Sequence, residues 1–196
     1  MYDVTGGELL IDGKNIKHIP MNVLRSNIGI APQETFLFSD TLANNIAYGN
    51  DKTDMRIIEN VSSISGLLKD VENFPEGFNT VLGERGITLS GGQKQRTALA
   101  RALAIDPKIL ILDDSFSAVD THTEEEILIK LKEFMKDRTS ILISHRISTV
   151  KNADIIFVLE KGKIAEQGTH DNLLRLNGIY ADLYQKQLLE EELKEI

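Results

Sequence analysis

An uninterrupted aliphatic run at residues 109–112 restricts the fold of this chain more than any other feature of its sequence. Residues 93–105, just before it, place apolar side chains at helical spacing, and Asp106-Pro107 ends that pattern because proline disfavours helical geometry at the residue before it. A second strand pattern follows at 140–144, after another helical stretch. Helices that alternate with continuous apolar strands are typical of a parallel sheet buried on both faces. The sequence therefore predicts an α/β fold with two buried central strands.

The composition excludes several classes of protein. The 196 residues carry 22 Lys plus Arg against 30 Asp plus Glu, a net charge of −8, and no cysteine. Basic residues that are outnumbered and scattered argue against a general nucleic-acid binder. The apolar stretches are far shorter than the about 20 residues of a membrane-spanning helix, and the start of the sequence lacks the pattern of a secretory signal. We therefore expect a cytoplasmic protein with one domain over residues 1–188 and an acidic tail over residues 189–196.

Shorter patterns predict the elements around the two central strands. Before them we expect a strand at 9–11 that turns at Asp12-Gly13, a strand at 28–31 closed by Pro32, and helices at 41–47 and 55–68. After them we expect a helix that opens on a capping box of Thr121 and Glu124, a hairpin of strands 155–159 and 164–167 at the sheet edge, and helices over 171–192.

Residues able to do chemistry follow both central strands. Asp113-Asp114 come directly after one run, and Ser144-His145 close the other. Ligands of α/β sheets bind at the carboxyl ends of strands. An acidic residue there can hold magnesium, and a neighbouring carboxylate can polarise a water for attack on a phosphate. A pair of solvated helix-capping acids and a surface histidine are the alternative interpretations of either feature alone.

The segment Leu-Ser-Gly-Gly-Gln at residues 89–93 lies just before the helical pattern that leads into the aliphatic run. Two glycines let a backbone approach a ligand closely, Ser90 offers a hydroxyl, and the amides of a first helical turn carry partial positive charge. The segment therefore predicts an anion-binding loop. An ordinary loop with an N-cap is the alternative.

In order and spacing, these motifs resemble the nucleotide-binding domain of an ATP-binding cassette (ABC) transporter over nearly the whole chain. Residues 89–93 are similar to the family signature, 109–113 to its Walker B strand, 117–120 to its D-loop, His145 to its switch histidine and Gln33 to its Q-loop glutamine.

Two further segments resemble the exporter branch of the family, the multidrug and lipid type. They are residues 35–39 with Asn45-Ile46, and residues 83–86, which are similar to the X-loop that touches the coupling helices of the membrane domain.

The resemblance implies a P-loop NTPase-like ABC ATPase domain with a parallel core sheet and a helical signature subdomain. It implies ATP and Mg²⁺ as cofactors and gives the site residues their roles: Asp114, His145 and Gln33 in catalysis, Ser90, Gly91, Gly92, Gln93 and Asp120 on ATP, and Asp113 and Gln33 on the metal. The implied partners are a second nucleotide-binding domain and the coupling helices of a transmembrane domain, at the cytoplasmic face of the cell membrane, with no nucleic acid.

One departure from the family pattern concerns the phosphate loop, Gly-x-x-x-x-Gly-Lys-Ser/Thr. The two Gly-Lys pairs, at 13–14 and 162–163, lack the following hydroxyl, and Glu8 and Phe157 stand where the leading glycine would be. The family places this loop before the strand at 9–11. We therefore expect the sequence to be N-terminally truncated, without the first strands and the Walker A loop.

The second departure is Asp114, where the family usually has the glutamate assigned to water activation. Aspartate is one methylene shorter, and a displacement of about 1 Å in a catalytic group can cost on the order of 100-fold in rate. Heterodimeric exporters resemble this arrangement, because one subunit carries the weaker acid and keeps a good signature for its partner. A tolerated substitution in a homodimer is the alternative.

Three functions remain open from the sequence. The first is the energy-coupling ATPase domain of an exporter whose substrate the sequence does not identify. The second is a partner that does not hydrolyse ATP and lends residues 90–93 in trans. The third is a soluble ABC-type ATPase, which Arg146, standing where an aspartate would follow the switch histidine, argues against.

Overall fold

The computed structural model describes residues 4–50, 54–83 and 88–194. Its strands are β1 (Leu10–Ile11), β2 (Lys14–Asn15), β3 (Ile28–Ala31), β4 (Ile109–Asp113), β5 (Thr139–Ile143), β6 (Ile156–Glu160) and β7 (Lys163–Gly168). Its α-helices are α1 (Met21–Asn27), α2 (Leu42–Ala47), α3 (Met55–Ile64), α4 (Leu68–Val71), α5 (Gly91–Ala104), α6 (Thr121–Met135), α7 (Ile147–Val150), α8 (His170–Leu176) and α9 (Ile179–Lys194). Short 3₁₀ turns lie at Ile16–His18 and Gly77–Asn79.

A parallel sheet with the strand order β3-β4-β5 forms the centre of the fold. Leu110 of β4 lies opposite Gly29 on one side and Ser140 on the other. This confirms the predicted parallel α/β core. The three strands run in the same direction, so their carboxyl ends, and the residues that follow them, meet at one edge.

The two faces of this sheet are covered unequally. Leu110 and Leu112 are buried in the main core together with Leu99 and Leu103 of α5. By contrast, Ile141 of β5 is 47% exposed. The prediction that both central strands are buried is therefore wrong for β5 within the described residues, because α5 packs on one face of the sheet only.

Helix α5 lies very close to β3 because Gly29 has no side chain. A Cβ atom at Gly29 would lie 2.5 Å from the carbonyl oxygen of Ala102 and 2.8 Å from Cγ of Pro107. Helix α5 also packs against α2 and α3, which bring Leu42, Ile46 and other buried side chains to the same core. This helical layer fixes the position of the start of α5.

Two predicted helix boundaries are wrong. The helix expected at 55–68 is divided into α3 and α4, because Gly66 adopts a left-handed φ of +71° between them. The expected capping box of Thr121 and Glu124 does not form, because Asp120 is the N-cap of α6 and Glu124 is buried against Arg146.

Two hairpins flank the central sheet in sequence. The first pairs β1 with β2 across Asp12-Gly13, and the second pairs β6 with β7 across Lys161-Gly162, all four turn residues having positive φ as type I′ turns require. The second hairpin was expected at the edge of the central sheet, but it forms a two-stranded sheet of its own. Side chains of β6, α7, α8 and α9 make a second, smaller core.

The X-loop-like segment and the predicted acidic tail lie at the limits of the residues that the structure describes. Residues 84–86 of the X-loop-like segment lie outside them, whereas the predicted acidic tail is, up to residue 194, the last part of α9. None of the described helices is both long and apolar enough to cross a membrane.

Candidate functional site

Three predicted site residues meet at the carboxyl edge of the central sheet. Nε2 of Gln33, which follows β3, donates a hydrogen bond to Oδ2 of Asp114 at 3.2 Å. Nδ1 of His145, which follows β5, lies 3.0 Å from Oδ1 of the same carboxylate. The three side chains thus lie together, and both oxygens of Asp114 have a polar neighbour.

Hydrogen bonds to β5 and to β3 fix the turn that carries Asp114. Its N–H donates to the carbonyl of Ile143 at 2.8 Å, which extends the pairing of β4 with β5 by one residue. The hydroxyl of Ser115 donates to the carbonyl of Ala31 in β3 at 2.8 Å. Asp114 adopts a φ of +46°, a left-handed conformation that aspartate tolerates better than most residues. The turn therefore points its carboxylate between Gln33 and His145.

Burial differs sharply within this cluster. The side chain of Asp114 is 16% exposed, whereas that of His145 is 67% exposed. The histidine can therefore contact a ligand from solvent while it remains close to the shielded carboxylate.

Oxygen atoms suited to Mg²⁺ lie at the same edge. Asp113, the last residue of β4, supplies a carboxylate, and the side-chain amide of Gln33 has an oxygen besides the nitrogen bonded to Asp114. Mg²⁺ usually binds through one or two such protein oxygens together with water and substrate phosphates. Within the described ranges, no group of three or more His, Cys, Asp or Glu side chains could hold a metal ion. Asp113 and Gln33 therefore offer oxygen atoms of the kind that Mg²⁺ binds together with water and phosphate.

The segment that follows Gln33 is fixed by two side chains. Nδ2 of the buried Asn45 donates to the carbonyl of Phe38 at 3.0 Å, and its oxygen accepts from the N–H of Phe38 at 2.8 Å. Arg101 of α5 donates to the carbonyl of Phe36 at 2.9 Å. Burial lowers the pKa of the Arg101 guanidinium. Helix α5 is thereby bonded to this segment, although the side chain of Phe36 remains exposed.

The glycine-rich segment begins α5 with a complete capping box. The N–H of Gln93 donates to Oγ of Ser90 at 3.3 Å, and the N–H of Ser90 donates to Oε1 of Gln93 at 2.9 Å. Gly91 and Gly92 are in the first turn, where backbone N–H groups have no acceptor within the helix. The hydroxyl of Ser90 accepts a bond and keeps its own hydrogen as a donor. The segment therefore forms the N-cap of the alternative interpretation, and it also keeps the free amides and the hydroxyl donor that anion binding would use.

Asp70, which the sequence analysis did not single out, orients this helix start. Its Oδ1 accepts a hydrogen bond from Nε2 of Gln93 at 2.9 Å, and its Oδ2 accepts one from Nη2 of Arg96 at 2.7 Å. Both partners of the Arg96–Asp70 ion pair are mostly shielded from solvent. Since Asp70 lies in the short helix α4, more than 20 residues before its partners, no local pattern marks it.

The D-loop at residues 117–120 lies against the start of α5. A Cβ atom at Gly92 would lie only 2.8 Å from the carbonyl oxygen of Ala118. Gln95 of α5 accepts a hydrogen bond from the N–H of Ala118 at 2.9 Å and donates to Oγ of Ser117 at 2.8 Å. Gln95 is a second functional candidate that the sequence analysis missed. Its Nε2 also lies 3.5 Å from the carbonyl oxygen of Asp114. Gln95 therefore lies between the D-loop and the turn that carries Asp114.

Asp120 ends the D-loop as the N-cap of α6. Its side chain accepts a hydrogen bond from the N–H of Thr123 at 2.9 Å. This bond, followed by one from the Thr123 side chain, lowers the pKa of Asp120. The carboxylate is therefore ionised and oriented before any ligand binds.

Comparisons with known proteins agree on one family. A family model described as ABC transporter matches residues 1–117. ABC transporter B family member 6 from Dictyostelium discoideum is 49% identical over 188 residues, which are 96% of this chain and 28% of that protein. An ATM1-type heavy metal exporter from Novosphingobium aromaticivorans is 43% identical over 96% of this chain and 31% of its own length.

Further relatives include an ATP-dependent lipid A-core flippase from Haemophilus influenzae, which is 47% identical over 95% of this chain and 32% of its own length. The chain thus spans about a third of the length of the curated relatives that it matches. The solved structure of a bacterial Atm1-family ABC exporter with ATP bound superimposes with a TM-score of 0.90 at 43% identity, over 95% of this chain and 33% of the exporter chain.

Proposed function

This chain belongs to the ABC transporter family, and on that premise we propose that it is the domain of an exporter that binds and hydrolyses ATP to drive transport across a membrane. The observation that carries the proposal is the convergence of Gln33 and His145 on the two carboxylate oxygens of Asp114. A relative and a solved structure that are both described as exporters, each at 43% identity, support the direction of transport. The proposal leaves the transported substrate open.

In this proposal the residues at the sheet edge divide two tasks. Asp113 and the amide oxygen of Gln33 would hold Mg²⁺, which when bound reduces the negative charge of the ATP phosphates. Asp114 orients the attacking water, and the exposed His145 contacts the terminal phosphate from the solvent side.

Asp114 is a weak choice for orienting water. Its side chain is one methylene shorter than that of glutamate, and both of its oxygens already have polar neighbours within 3.2 Å. We therefore assign this chain to the subunit of a heterodimer that hydrolyses ATP slowly at its own site. The partner domain would contribute the stronger acid.

The start of α5 serves the partner in this arrangement. The first-turn amides of Gly91 and Gly92, with the hydroxyl of Ser90, form a site for the phosphates of ATP bound to the second nucleotide-binding domain. Gln93 supports this site by capping the helix, and Asp120 lies beyond Ala118, the D-loop residue that contacts Gly92.

A groove beside the segment that follows Gln33 is the proposed contact with the transmembrane domain. The groove has a volume of about 250 Å³ and is lined by Thr35, Phe36, Leu37, Leu82 and Lys94, among others. Phe36 is 68% exposed, although the segment that carries it is bonded to Arg101. This contact would place the domain at the cytoplasmic face of the membrane.

ATP hydrolysis by a transporter that contains this domain tests the proposal. Ser90→Arg should abolish turnover, because a bulky cation would fill the space in front of the α5 amides. Thr169→Arg is the matched control, since Thr169 is also an N-cap whose side chain accepts a backbone N–H, at the start of α8. Wild-type turnover in Ser90→Arg, or equal loss in both variants, would contradict the role of the signature.

A second candidate function is a module that lends its signature without binding ATP itself. It is favoured by one observation: the 196 residues contain no Gly-x-x-x-x-Gly-Lys-Ser/Thr loop, yet the start of α5 is fully capped. Calorimetric titration of the chain with ATP and magnesium tests this second function. Sub-millimolar affinity of the monomer rules the lending module out, whereas weak or undetectable binding agrees with both functions, because the 196 residues lack the phosphate loop.

A further inference from the structure

Arg146, the residue after His145, makes contacts that the proposed roles do not use. Its guanidinium reaches the D-loop, where Nη1 donates to the carbonyl of Val119 at 3.1 Å and Nη2 donates to the carbonyl of Ser117 at 3.3 Å. A side chain from the loop that carries His145 is therefore bonded to the backbone of the D-loop.

The guanidinium is held in place by a deeply buried acid. Glu124, in the first part of α6, is 1% exposed and forms an ion pair with Nη1 of Arg146. Its other oxygen accepts a hydrogen bond from Oγ1 of Thr149 at 2.5 Å and lies 3.4 Å from Oγ of Ser148. A carboxylate buried to this extent is strongly unfavourable without such partners. The pairing thus keeps the guanidinium directed towards the D-loop.

The backbone on both sides of Arg146 is also fixed. Gln187 of α9 donates from Nε2 to the carbonyl of His145 at 2.5 Å and accepts from the N–H of Ile147 at 2.8 Å. The N–H of Arg146 itself donates to Oγ of Ser144 at 3.0 Å. A displacement of the His145 backbone must therefore move Arg146, and with it the contacts to the D-loop.

We infer that Arg146 is a positioning residue that joins the loop carrying His145 to the D-loop, so that the position of one loop sets the position of the other. The inference deepens and rests on the proposed function, in which His145 contacts the ATP of this domain and the D-loop lies beside the signature offered to the partner's ATP. Lysine is not equivalent to this arginine. The guanidinium donates from a rigid fork to a carboxylate and two separate carbonyls, whereas lysine has one compact ammonium on a flexible stem.

A simple structural ion pair is the competing explanation. It requires only a positive charge beside Glu124, which Arg146→Lys keeps, whereas the link to the D-loop requires the bonds to Ser117 and Val119, which Arg146→Lys removes. This variant therefore separates the two explanations.

The test is amide hydrogen exchange of the full chain, read by NMR at the N–H of Val119, which is bonded to the carbonyl of Phe116 at 3.0 Å. In Arg146→Lys this amide should exchange about tenfold faster, which corresponds to the loss of one to two hydrogen bonds. Arg138→Lys is the matched control, because Arg138 also binds two backbone carbonyls and one carboxylate, at Pro107, Phe134 and Asp106. It should leave the exchange of Val119 unchanged.

A second pair of variants tests whether the two loops are coupled. Gln187→Met releases the carbonyl of His145 and should speed exchange at Val119 when Arg146 is present, but add little in the Arg146→Lys background. Additive effects, or an unchanged Val119 in Arg146→Lys, would overturn the inference.

The double variant Arg146→Met/Glu124→Gln guards against a failure to fold, since it leaves no unpaired buried charge. Faster exchange confined to the D-loop would support the inference, and a uniform rise that includes β4 would overturn it. Because none of these readouts needs ATP turnover, failure of the proposed ATPase activity and failure of this inference are separately visible.

Discussion

The substitution Gly92→Ala measures how tightly the D-loop packs on the start of α5. The new Cβ would lie 2.8 Å from the carbonyl oxygen of Ala118 and 3.3 Å from Nη1 of Arg96. The carbonyl cannot withdraw freely, because Gln95 holds the N–H of the same residue at 2.9 Å. Overpacking of this kind costs about 1–3 kcal/mol. Alanine regains about 1 kcal/mol of helix propensity over glycine. We expect a net loss of about 1 kcal/mol in the free energy of unfolding.

Gly91→Ala is the matched control one residue earlier in the same helical turn. Its Cβ would lie 3.2 Å from the methyl group of Ala118, a side-chain contact that needs only a small adjustment. The same propensity gain of about 1 kcal/mol applies, so this variant should be neutral or slightly more stable than wild type. Urea unfolding followed by circular dichroism gives both free energies. If Gly92→Ala proves at least as stable as Gly91→Ala, the packing described for the D-loop is refuted.

Three further predictions use the same unfolding assay. Asp120→Ala should cost about 1 kcal/mol at pH 7 through loss of the N-cap. Because the pKa of Asp120 is lowered in the folded chain, its contribution should be complete above about pH 3.9, the unfolded pKa, and disappear as the pH falls through the lower folded value. Asp70→Asn should cost about 2 kcal/mol, since it weakens the shielded pair with Arg96, whereas Asp54→Asn, at an exposed pair, should have a much smaller effect. Leu99→Ala, at a core position that is 1% exposed, should cost about 2–5 kcal/mol.

The sequence predicted the elements whose pattern is local and continuous. The aliphatic run that became β4 and the glycine-rich start of α5 are both recognisable within a few residues. Parallel pairing brings Asp114 and His145 to one edge because each follows the carboxyl end of a neighbouring strand, whereas the sequence assigns Gln33 to the site only through the family resemblance.

Contacts between distant side chains could not be predicted in the same way. Asp70 reaches Gln93 across 23 positions, and Arg146 reaches Glu124 across 22, without any periodicity that would connect them. Glu124 was instead assigned to a capping box from its spacing alone, because spacing cannot distinguish a capping acid from a buried partner of an arginine. Strand β5 is more exposed than its sequence predicts, because a continuous apolar strand indicates burial but does not show which elements cover each face.

Phosphate release by the assembled transporter that contains this domain, with Asp114 substituted, tests the central claim most directly. The claim is that Asp114 orients water poorly here and that most turnover occurs at the partner's site, which borrows the signature at the start of α5. Asp114→Asn should then leave total phosphate release close to that of wild type, and Asp114→Glu should raise it, because the longer side chain brings the carboxylate within hydrogen-bond range of the water. If Asp114→Asn instead stops hydrolysis as completely as Ser90→Arg, the site at Asp114 is the working one and the account is contradicted.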